Sequence, residues 1–300
     1  MLSTTEVEIE SAGLGRIREK VEAGERLTFE DGVALFRCPD LTALGALANR
    51  ERERRHGDLT YFNRNVHVNA TNVCEASCIF CSFSRLKTGD AAAYTMSLDE
   101  AVGRVKALRG ELITEVHIVN GLNPDLPWDY YPDLLRGIKA ERPDIHIKGF
   151  TAVEIHYFAE KYGMSYEQVL IKLREAGLGS LPGGGAEIFH PRARKKLCDD
   201  KVGADGWLEV HRVAHRLGMR SNCTMLFGSI DPEHEVAALE QVLEREGAPM
   251  RVVNVFDSRA FSNRARGIRA MGPPDQPIDF DAGVAAIEPW FAKGSDKVWY

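Results

Sequence analysis

Hydrophobic and polar positions follow two periods along this chain of 300 residues. Short apolar or alternating runs predict strands, and longer runs with apolar residues three and four apart predict helices. The predicted strands cover 65–71, 114–121, 144–151, 178–185, 220–229 and 250–256. The predicted helices that alternate with them cover 97–110, 128–143, 152–163, 165–177, 205–218 and 232–247. Repeated strand and helix units of this kind indicate an α/β fold with a parallel sheet, closed or nearly closed as a TIM-type (β/α) barrel.

Residues 10–60 show only helical patterns, so an N-terminal helical extension is predicted over 1–60. Thr28 with Asp31 resembles a helix start, and Ser97 with Glu100 matches a capping box. The barrel core is predicted over 61–256, and an atypical tail over 257–300. In such barrels the chemistry lies at the C-terminal ends of the strands.

Composition narrows the function classes. A hydrophobic share of 44% with 27% charged residues is typical of a globular protein, and a formal charge of −6 argues against a nucleic-acid binder. The first residues do not resemble a signal peptide, and no apolar run approaches the roughly 18 residues of a membrane span. We therefore expect a cytoplasmic protein whose cysteines stay reduced and act as ligands or catalysts.

Three of the six cysteines lie within eight residues, in the stretch "CEASCIFC" directly after the first predicted barrel strand. Cys74, Cys78 and Cys81 have the spacing C-x3-C-x2-C, whereas structural zinc sites normally use two separated pairs. Three close thiolates fit an iron–sulfur cube that is held at three irons, with the fourth iron open to an external ligand. The alternatives are cysteines that serve only in packing, and a structural zinc site completed by His67 or another residue. Cys198 and Cys223 are interpreted as packing residues.

The motif resembles that of the radical S-adenosylmethionine (SAM) enzymes. The resemblance implies a 4Fe-4S cluster on Cys74, Cys78 and Cys81, with SAM bound to the open iron as a co-substrate. An electron donor such as flavodoxin or ferredoxin would reduce the cluster, and SAM would then yield a 5′-deoxyadenosyl radical. Phe80 would lie near the adenine.

Longer stretches, among them "FTAVEIH" and "LPGGGAEIF", resemble the aminofutalosine synthases of menaquinone biosynthesis over about residues 14–247. This resemblance implies addition of the adenosyl radical to the small molecule 3-(1-carboxyvinyloxy)benzoate. The product would be 6-amino-6-deoxyfutalosine, with loss of bicarbonate and methionine. Alternatives are a sibling enzyme (dehypoxanthine futalosine cyclase or a deazaflavin-synthase-like protein) and an inactive homologue that only binds cluster and SAM.

The remaining site predictions concern strand ends. Asn120 and Gly121 occupy the place of a Gly-Gly pair that meets the methionine amine in many members of the family. Glycines in "PGGGAEIF" permit close backbone approach to a ligand, and a carboxylate beside them could bind ribose hydroxyls or the amine; the residues proposed for this role are Gly184, Gly185 and Glu187.

Catalytic roles are predicted for Glu154 and His156, just after the third strand, and for His67. His67, Asn69 and Thr71 alternate along one strand, so they share one face. Beyond Gly247 the resemblance ends and no eighth strand is recognisable. The barrel is therefore expected to be incomplete at its C-terminal end.

Overall fold

The computed structural model describes residues 9–60, 62–86, 89–227 and 252–257, the last as backbone only. The chain divides into two compact units, the first reaching Phe62 and the second starting at Asn63. Within the described part, the first unit contains helices α1 (Gly15–Ala23), α2 (Phe29–Arg37) and α3 (Leu41–His56). Thr28 caps α2 through a capping box with Asp31, as the sequence predicts. This unit has its own small core of Ile9, Leu14, Ile17, Ala43 and Leu47.

The second unit is a parallel α/β fold, which confirms the predicted fold class. Its described strands are β1 (Asn65–His67), β2 (Glu115–Ile118), β3 (His146–Gly149), β4 (Ser180–Leu181), β5 (Arg220–Ser221), β6 (Cys223–Phe227) and β7 (Val252–Asp257). Its described helices are α4 (Leu98–Lys106), α5 (Tyr130–Glu141), α6 (Ala152–Tyr162), α7 (Tyr166–Glu175), α8 (Pro191–Cys198) and α9 (Ala204–Arg216). Strands β1 to β5 form one parallel sheet in sequential order, and β6 pairs in parallel with β7. Sequential parallel strands joined by helices are the winding of a (β/α) barrel.

Alternation along the strands gives the sheet two unlike faces. Val116, Ile147 and Leu181 belong to the main core, and the partly buried Val66 packs against it. The neighbours of these residues in the strands are polar, so the opposite face is polar. This division orients the strand ends, where the candidate site lies.

Several elements differ from the predictions. Strand β1 ends early because the Ala70 N–H donates to the side-chain Oδ1 of Asn120 at 2.6 Å instead of to a strand neighbour. The predicted strand 220–229 is interrupted at Asn222, and helix α8 was missed although Pro191 at its first turn is a recognised start signal. The predicted helix 232–247 and the tail 257–300 lie outside the described residues, apart from Asp257 at the end of β7. No described helix is long and apolar enough to cross a membrane.

Candidate functional site

The cysteine loop, residues 74–81, follows β1 and is tied at both ends by backbone hydrogen bonds. The N–H of Cys74 donates to the carbonyl oxygen of Arg85 at 2.9 Å, and the N–H of Cys81 donates to the carbonyl oxygen of Cys78 at 3.0 Å. Cys78 is buried, whereas Cys74 and Cys81 are half-buried. The three thiols therefore lie on one short loop, and two of the three cysteines are partly exposed.

Burial has the largest effect on the pKa of two of these thiols, those of Cys78 and Cys74. It raises the pKa of Cys78 to about 12, against the opposing effect of the Lys201 cation. Burial also raises the pKa of Cys74, although backbone hydrogen bonds from Leu122 and Ala76 favour its thiolate. The Cys81 sulfur accepts a hydrogen bond from the backbone N–H of Ser84 at 3.4 Å. Metal ligation requires thiolates, so binding of a cluster here must release protons.

The end of α8 and the residues directly after it hold the cysteine loop. The Ile79 N–H donates to the carbonyl oxygen of Leu197 at 3.1 Å. The Asp200 carboxylate accepts from both the backbone N–H and the hydroxyl of Ser77, each at 2.7 Å. Hydrogen bonds thereby hold Ser77, which lies between Cys74 and Cys78, and Ile79, which lies between Cys78 and Cys81.

Lys201 lies beside the same loop. Its Nζ is 2.8 Å from the Glu187 Oε1 and 5.3 Å from the centre of the Phe80 ring. Burial by itself lowers the pKa of Lys201, but the Glu187 carboxylate and the nearby thiols raise it, so the residue stays charged. A fixed cation next to several thiolates would offset part of the negative charge of a cluster.

Glu187 has an unusual backbone for a residue with a side chain. Its φ of 48° lies in the left-handed region, which costs a non-glycine residue about 1–2 kcal/mol. The carbonyl oxygen of Glu187 accepts from the Leu226 N–H at 2.8 Å, which pins it to β6. The structure therefore places this carboxylate in a fixed position against Lys201.

At the end of β2, Asn120 is buried and connects three segments. Its Oδ1 accepts from Ala70, and its backbone N–H donates to the Glu154 Oε1 at 2.9 Å. Its Nδ2 is buried without a hydrogen-bond partner among the described residues, although the side chain lies near enough to Glu154 to lower the pKa of that carboxyl. An unpaired buried amide of this kind is an available donor at the strand ends.

Gly121 is required by close packing of the backbone. A Cβ at this position would lie 2.2 Å from the carbonyl oxygen of Val73. The predicted contact of this glycine with a methionine amine stays a prediction, but its proximity to the residue before Cys74 is a structural fact.

Glu154 forms a buried capping box at the start of α6. Its Oε2 accepts from the Thr151 N–H at 2.7 Å and the Thr151 hydroxyl at 3.0 Å. Burial raises the pKa of Glu154 to about 7, against the opposing hydrogen bonds from Asn120 and Thr151. Both oxygens are thus engaged by the chain itself, which suits Glu154 to positioning Asn120 more than to contacting a substrate.

The glycine loop after β4 packs mainly against protein. Gly185 has a φ of 86°, and a Cβ there would lie 2.2 Å from the Val153 side chain. The carbonyl oxygen of Gly184 accepts from the Trp207 indole at 3.2 Å. In the described structure these glycines pack against α6 and α9, and their predicted close approach to a ligand stays a prediction.

The two histidines with predicted catalytic roles lie on different elements, His156 on α6 and His67 on β1. The His156 Nδ1 lies 2.7 Å from the Tyr166 hydroxyl, so this imidazole joins α6 to α7. The His67 ring stacks on His117 with centres 4.8 Å apart. Neither is brought to the cysteine loop by a described contact.

The residues fit an iron–sulfur cluster better than a single ion. Among the described residues, no three His, Cys, Asp or Glu side chains lie together in a group that could hold one metal ion. In a cube each thiolate meets a different iron, so the thiols must surround the cluster instead of converging on one point. The cysteine loop meets that requirement, because it carries three thiols, backbone N–H groups directed at sulfur and a fixed cation beside it. The zinc site completed by His67 is not assembled among the described residues.

Asp200 and Lys201 are site residues that sequence reasoning missed. Their only sign in the sequence is a run of polar residues after Cys198, and such a run is typical of an ordinary solvated helix end. Only the packing of α8 against the cysteine loop reveals their role.

Comparison with known proteins gives a consistent result. The model of the Radical SAM superfamily matches residues 68–242. The chain is 52% identical over 227 residues to the aminodeoxyfutalosine synthase of Streptomyces coelicolor, which covers 75% of this chain and 58% of that protein. It is 42% identical over 184 residues to the 5-amino-6-(D-ribitylamino)uracil–L-tyrosine 4-hydroxyphenyl transferase of Methanopyrus kandleri, covering 61% of this chain and 50% of that protein. The chain thus spans between half and three fifths of the length of these curated relatives.

Among solved structures, methylornithine synthase matches with a TM-score of 0.59 at 21% identity, covering 80% of this chain and 68% of that one. This likeness supports the fold.

Proposed function

Because the chain belongs to the radical SAM superfamily, we propose that it acts as an aminofutalosine synthase. It would join the adenosyl group of SAM to 3-(1-carboxyvinyloxy)benzoate and form 6-amino-6-deoxyfutalosine, with consumption of water and release of bicarbonate and methionine. The observation that carries the proposal is the 52% identity to the Streptomyces coelicolor enzyme.

Cys74, Cys78 and Cys81 would hold the 4Fe-4S cluster. When bound, the cluster supplies the electron that cleaves the sulfonium of SAM. The chain supplies the setting for that step. Asp200 restrains the loop through Ser77, and the Lys201 cation lies beside the thiols and the Phe80 ring.

SAM itself would be bound near the same strand ends. The unpaired Nδ2 of Asn120 is a donor suited to a carboxylate or hydroxyl oxygen. The Glu187 carboxylate, held by Lys201 at 2.8 Å, is an acceptor suited to an amine or to ribose hydroxyls. Phe80 would present an apolar surface to the adenine.

The test is an anaerobic assay of the reconstituted, reduced protein with SAM and 3-(1-carboxyvinyloxy)benzoate, followed by mass spectrometry. We expect 6-amino-6-deoxyfutalosine, and the single variants Cys74→Ala, Cys78→Ala and Cys81→Ala should give none. Cys223→Ala is the matched control, since Cys223 lies in β6 outside the cysteine loop. Formation of 5′-deoxyadenosine without the adduct from a protein with intact cluster would refute the assigned substrate.

A second candidate is the reaction of the tyrosine-dependent transferase, because that relative is also 42% identical. The same assay with L-tyrosine and 5-amino-6-(D-ribitylamino)uracil separates the two. A product only with this pair would replace the first proposal.

A further inference from the structure

The polar face of the sheet carries an aligned row of chemically active side chains. One residue from each of the five neighbouring strands is in register with the next. In order from β1 to β5, these residues are His67, His117, Lys148, Ser180 and Arg220. In parallel strands the residues in register lie side by side on the same face. This row runs across all five strands of the sheet, below the strand ends that hold the candidate site.

An ion pair between a half-buried lysine and a buried glutamate joins the row to Glu115 of β2. The Lys148 Nζ is 2.9 Å from the Glu115 Oε2, with the Lys148 side chain 18% exposed and that of Glu115 2% exposed. The second carboxylate oxygen of Glu115, Oε1, is buried without a hydrogen-bond partner among the described residues. It is 3.9 Å from the His117 Nδ1, beyond hydrogen-bonding distance.

Structural demand alone does not account for this arrangement. Barrel interiors are normally filled by Val, Ile and Leu, and burying an ion pair is often no more stabilising than apolar packing. A buried carboxylate oxygen that lacks a partner adds a further cost. Polar groups held at such cost on the strands whose ends carry the candidate site are expected to serve a ligand.

Lys148 is the cation at the centre of the row. Burial, followed by the neighbouring His67, lowers the pKa of His117 to about 4, so that imidazole is neutral at physiological pH. Glu115 uses one oxygen on Lys148, and an ammonium has three donors, so two remain for a ligand. His117 and His67 present their rings alongside.

We propose that Lys148, with His117 and His67 beside it, binds a carboxylate of a small aromatic or enol-ether acid on this face of the sheet. The inference rests on the proposed function for the identity of the acid, 3-(1-carboxyvinyloxy)benzoate, which has two carboxylates. In this arrangement the Glu115 carboxylate shares the Lys148 ammonium with the ligand and competes with the ligand carboxylate for its positive charge.

The experiment is calorimetric titration of the reconstituted, SAM-loaded protein with 3-(1-carboxyvinyloxy)benzoate and, separately, with its uncharged dimethyl ester. Lys148→Gln should weaken binding of the acid by about tenfold or more, because a charge-assisted hydrogen bond is lost. Binding of the ester should be unaffected. Lys172→Gln, on the exposed surface of α7, is the matched control.

Glu115→Gln is expected to change the affinity for the acid in the direction opposite to Lys148→Gln. Removing the competing carboxylate should strengthen binding of the acid severalfold, whereas a purely structural ion pair would make both single variants bind less well. The double variant Glu115→Gln/Lys148→Gln removes both charges together, so neither charge is left unpaired, and it should bind as weakly as Lys148→Gln. Folding of each variant is checked by circular dichroism.

Unchanged affinity of a folded Lys148→Gln or double variant for the acid overturns the inference, as does weaker binding by Glu115→Gln. If the protein binds benzoate or 3-hydroxybenzoate in a Lys148-dependent manner but rejects 3-(1-carboxyvinyloxy)benzoate, the carboxylate site stands and the proposed substrate fails. If the acid binds through Lys148 and no aminofutalosine forms, the site likewise stands and the proposed reaction fails.

Discussion

Two glutamates of this protein occupy the same helix position and experience opposite surroundings. Glu154 and Glu100 are both the third residue of a helix that begins with a capping box. Burial raises the pKa of Glu154 to about 7, whereas hydrogen bonds from Ser97 lower the pKa of the exposed Glu100. The same capping box therefore favours the carboxylate of the exposed Glu100 and holds Glu154 where burial disfavours its charge.

These opposite shifts give a pH-dependent prediction. A carboxyl whose folded pKa is raised makes the folded state bind more protons, so its contribution to stability falls as pH rises from about 4.5 to about 7. Comparing wild type with Glu154→Gln, the free energy of unfolding of wild type relative to the variant should decrease between pH 5 and pH 8. Urea denaturation across that range measures it.

Glu100→Gln is the control for that series. A lowered folded pKa contributes stability that is present above the unfolded value of 4.5 and lost only in stronger acid. The difference between wild type and Glu100→Gln should therefore stay flat from pH 5 to pH 8. Equal slopes for the two glutamates would contradict the role assigned to burial.

Gly121 gives a second prediction for a single position. Gly121→Ala places a Cβ 2.2 Å from the Val73 carbonyl oxygen and should lower the free energy of unfolding by about 1–3 kcal/mol or more. Gly103→Ala is the comparison, since a Cβ there meets nothing within 4 Å. Because Gly103 lies inside α4, its replacement should stabilise by about 0.5–1 kcal/mol. Thermal and denaturant unfolding of both variants measure the effect, and a neutral Gly121→Ala would be inconsistent with the packing described.

Helix α8 and the turn after it act on the cysteine loop as one element. Arg194 of α8 is buried and donates to the carbonyl oxygen of Ala186 at 2.8 Å, which joins the helix to the glycine-loop side of the site. At its other end Leu197 and Asp200 bind the cysteine loop. The helix therefore connects the two loops that surround the candidate cluster site.

Asp200→Ala tests this connection. Loss of two hydrogen bonds to Ser77 should loosen the loop by about 1 kcal/mol and lower the iron bound per chain after reconstitution. Asp199→Ala is the matched neighbour, which is expected to bind iron normally, and Asp200→Glu should recover part of the loss. Iron and sulfide analysis with the visible absorbance of the cluster gives the result. Equal iron content in Asp200→Ala and Asp199→Ala would remove the assigned role.

Cluster binding is expected to stabilise the unit that begins at Asn63. A group that binds only the folded state raises the free energy of unfolding by mass action. Oxidative loss of the cluster should therefore lower the unfolding temperature of the wild type by several degrees. Cys78→Ala should already unfold at the lower temperature and show no further change. Scanning calorimetry under anaerobic conditions measures both, and a wild type indifferent to cluster loss would contradict ligation by the cysteine loop.

The domain boundaries at residues 60 and 256 stay predictions, as do the assigned roles of the site residues. The family and the parallel α/β fold agree between sequence and comparison. Relatives of two activities match the same chain. The choice between their substrates therefore depends on side chains within the fold and not on the fold itself.

Much of the molecule follows from local sequence. The three cysteines, the capping boxes at Thr28 and Ser97, and the alternation along the strands depend on residues only a few positions apart. Helix periodicity and cap chemistry operate at that range, so sequence alone located the regions of the strands, most helices and the loop that carries the thiols, but not all strand limits. The missed helix α8 began with a weak signal, a single proline.

The remaining features arise from packing between distant segments. Ser77 and Asp200 are 123 residues apart along the chain, and Asn120 accepts a hydrogen bond from Ala70, which is 50 residues away. The charge environment of Lys201, the capping role of Glu154 and the row that includes Lys148 all require the register of separate strands or the docking of a helix. Local sequence determined which chemistry this chain carries, and tertiary structure decided which side chains surround it, because hydrogen bonds, charge and burial act through space and not along the chain.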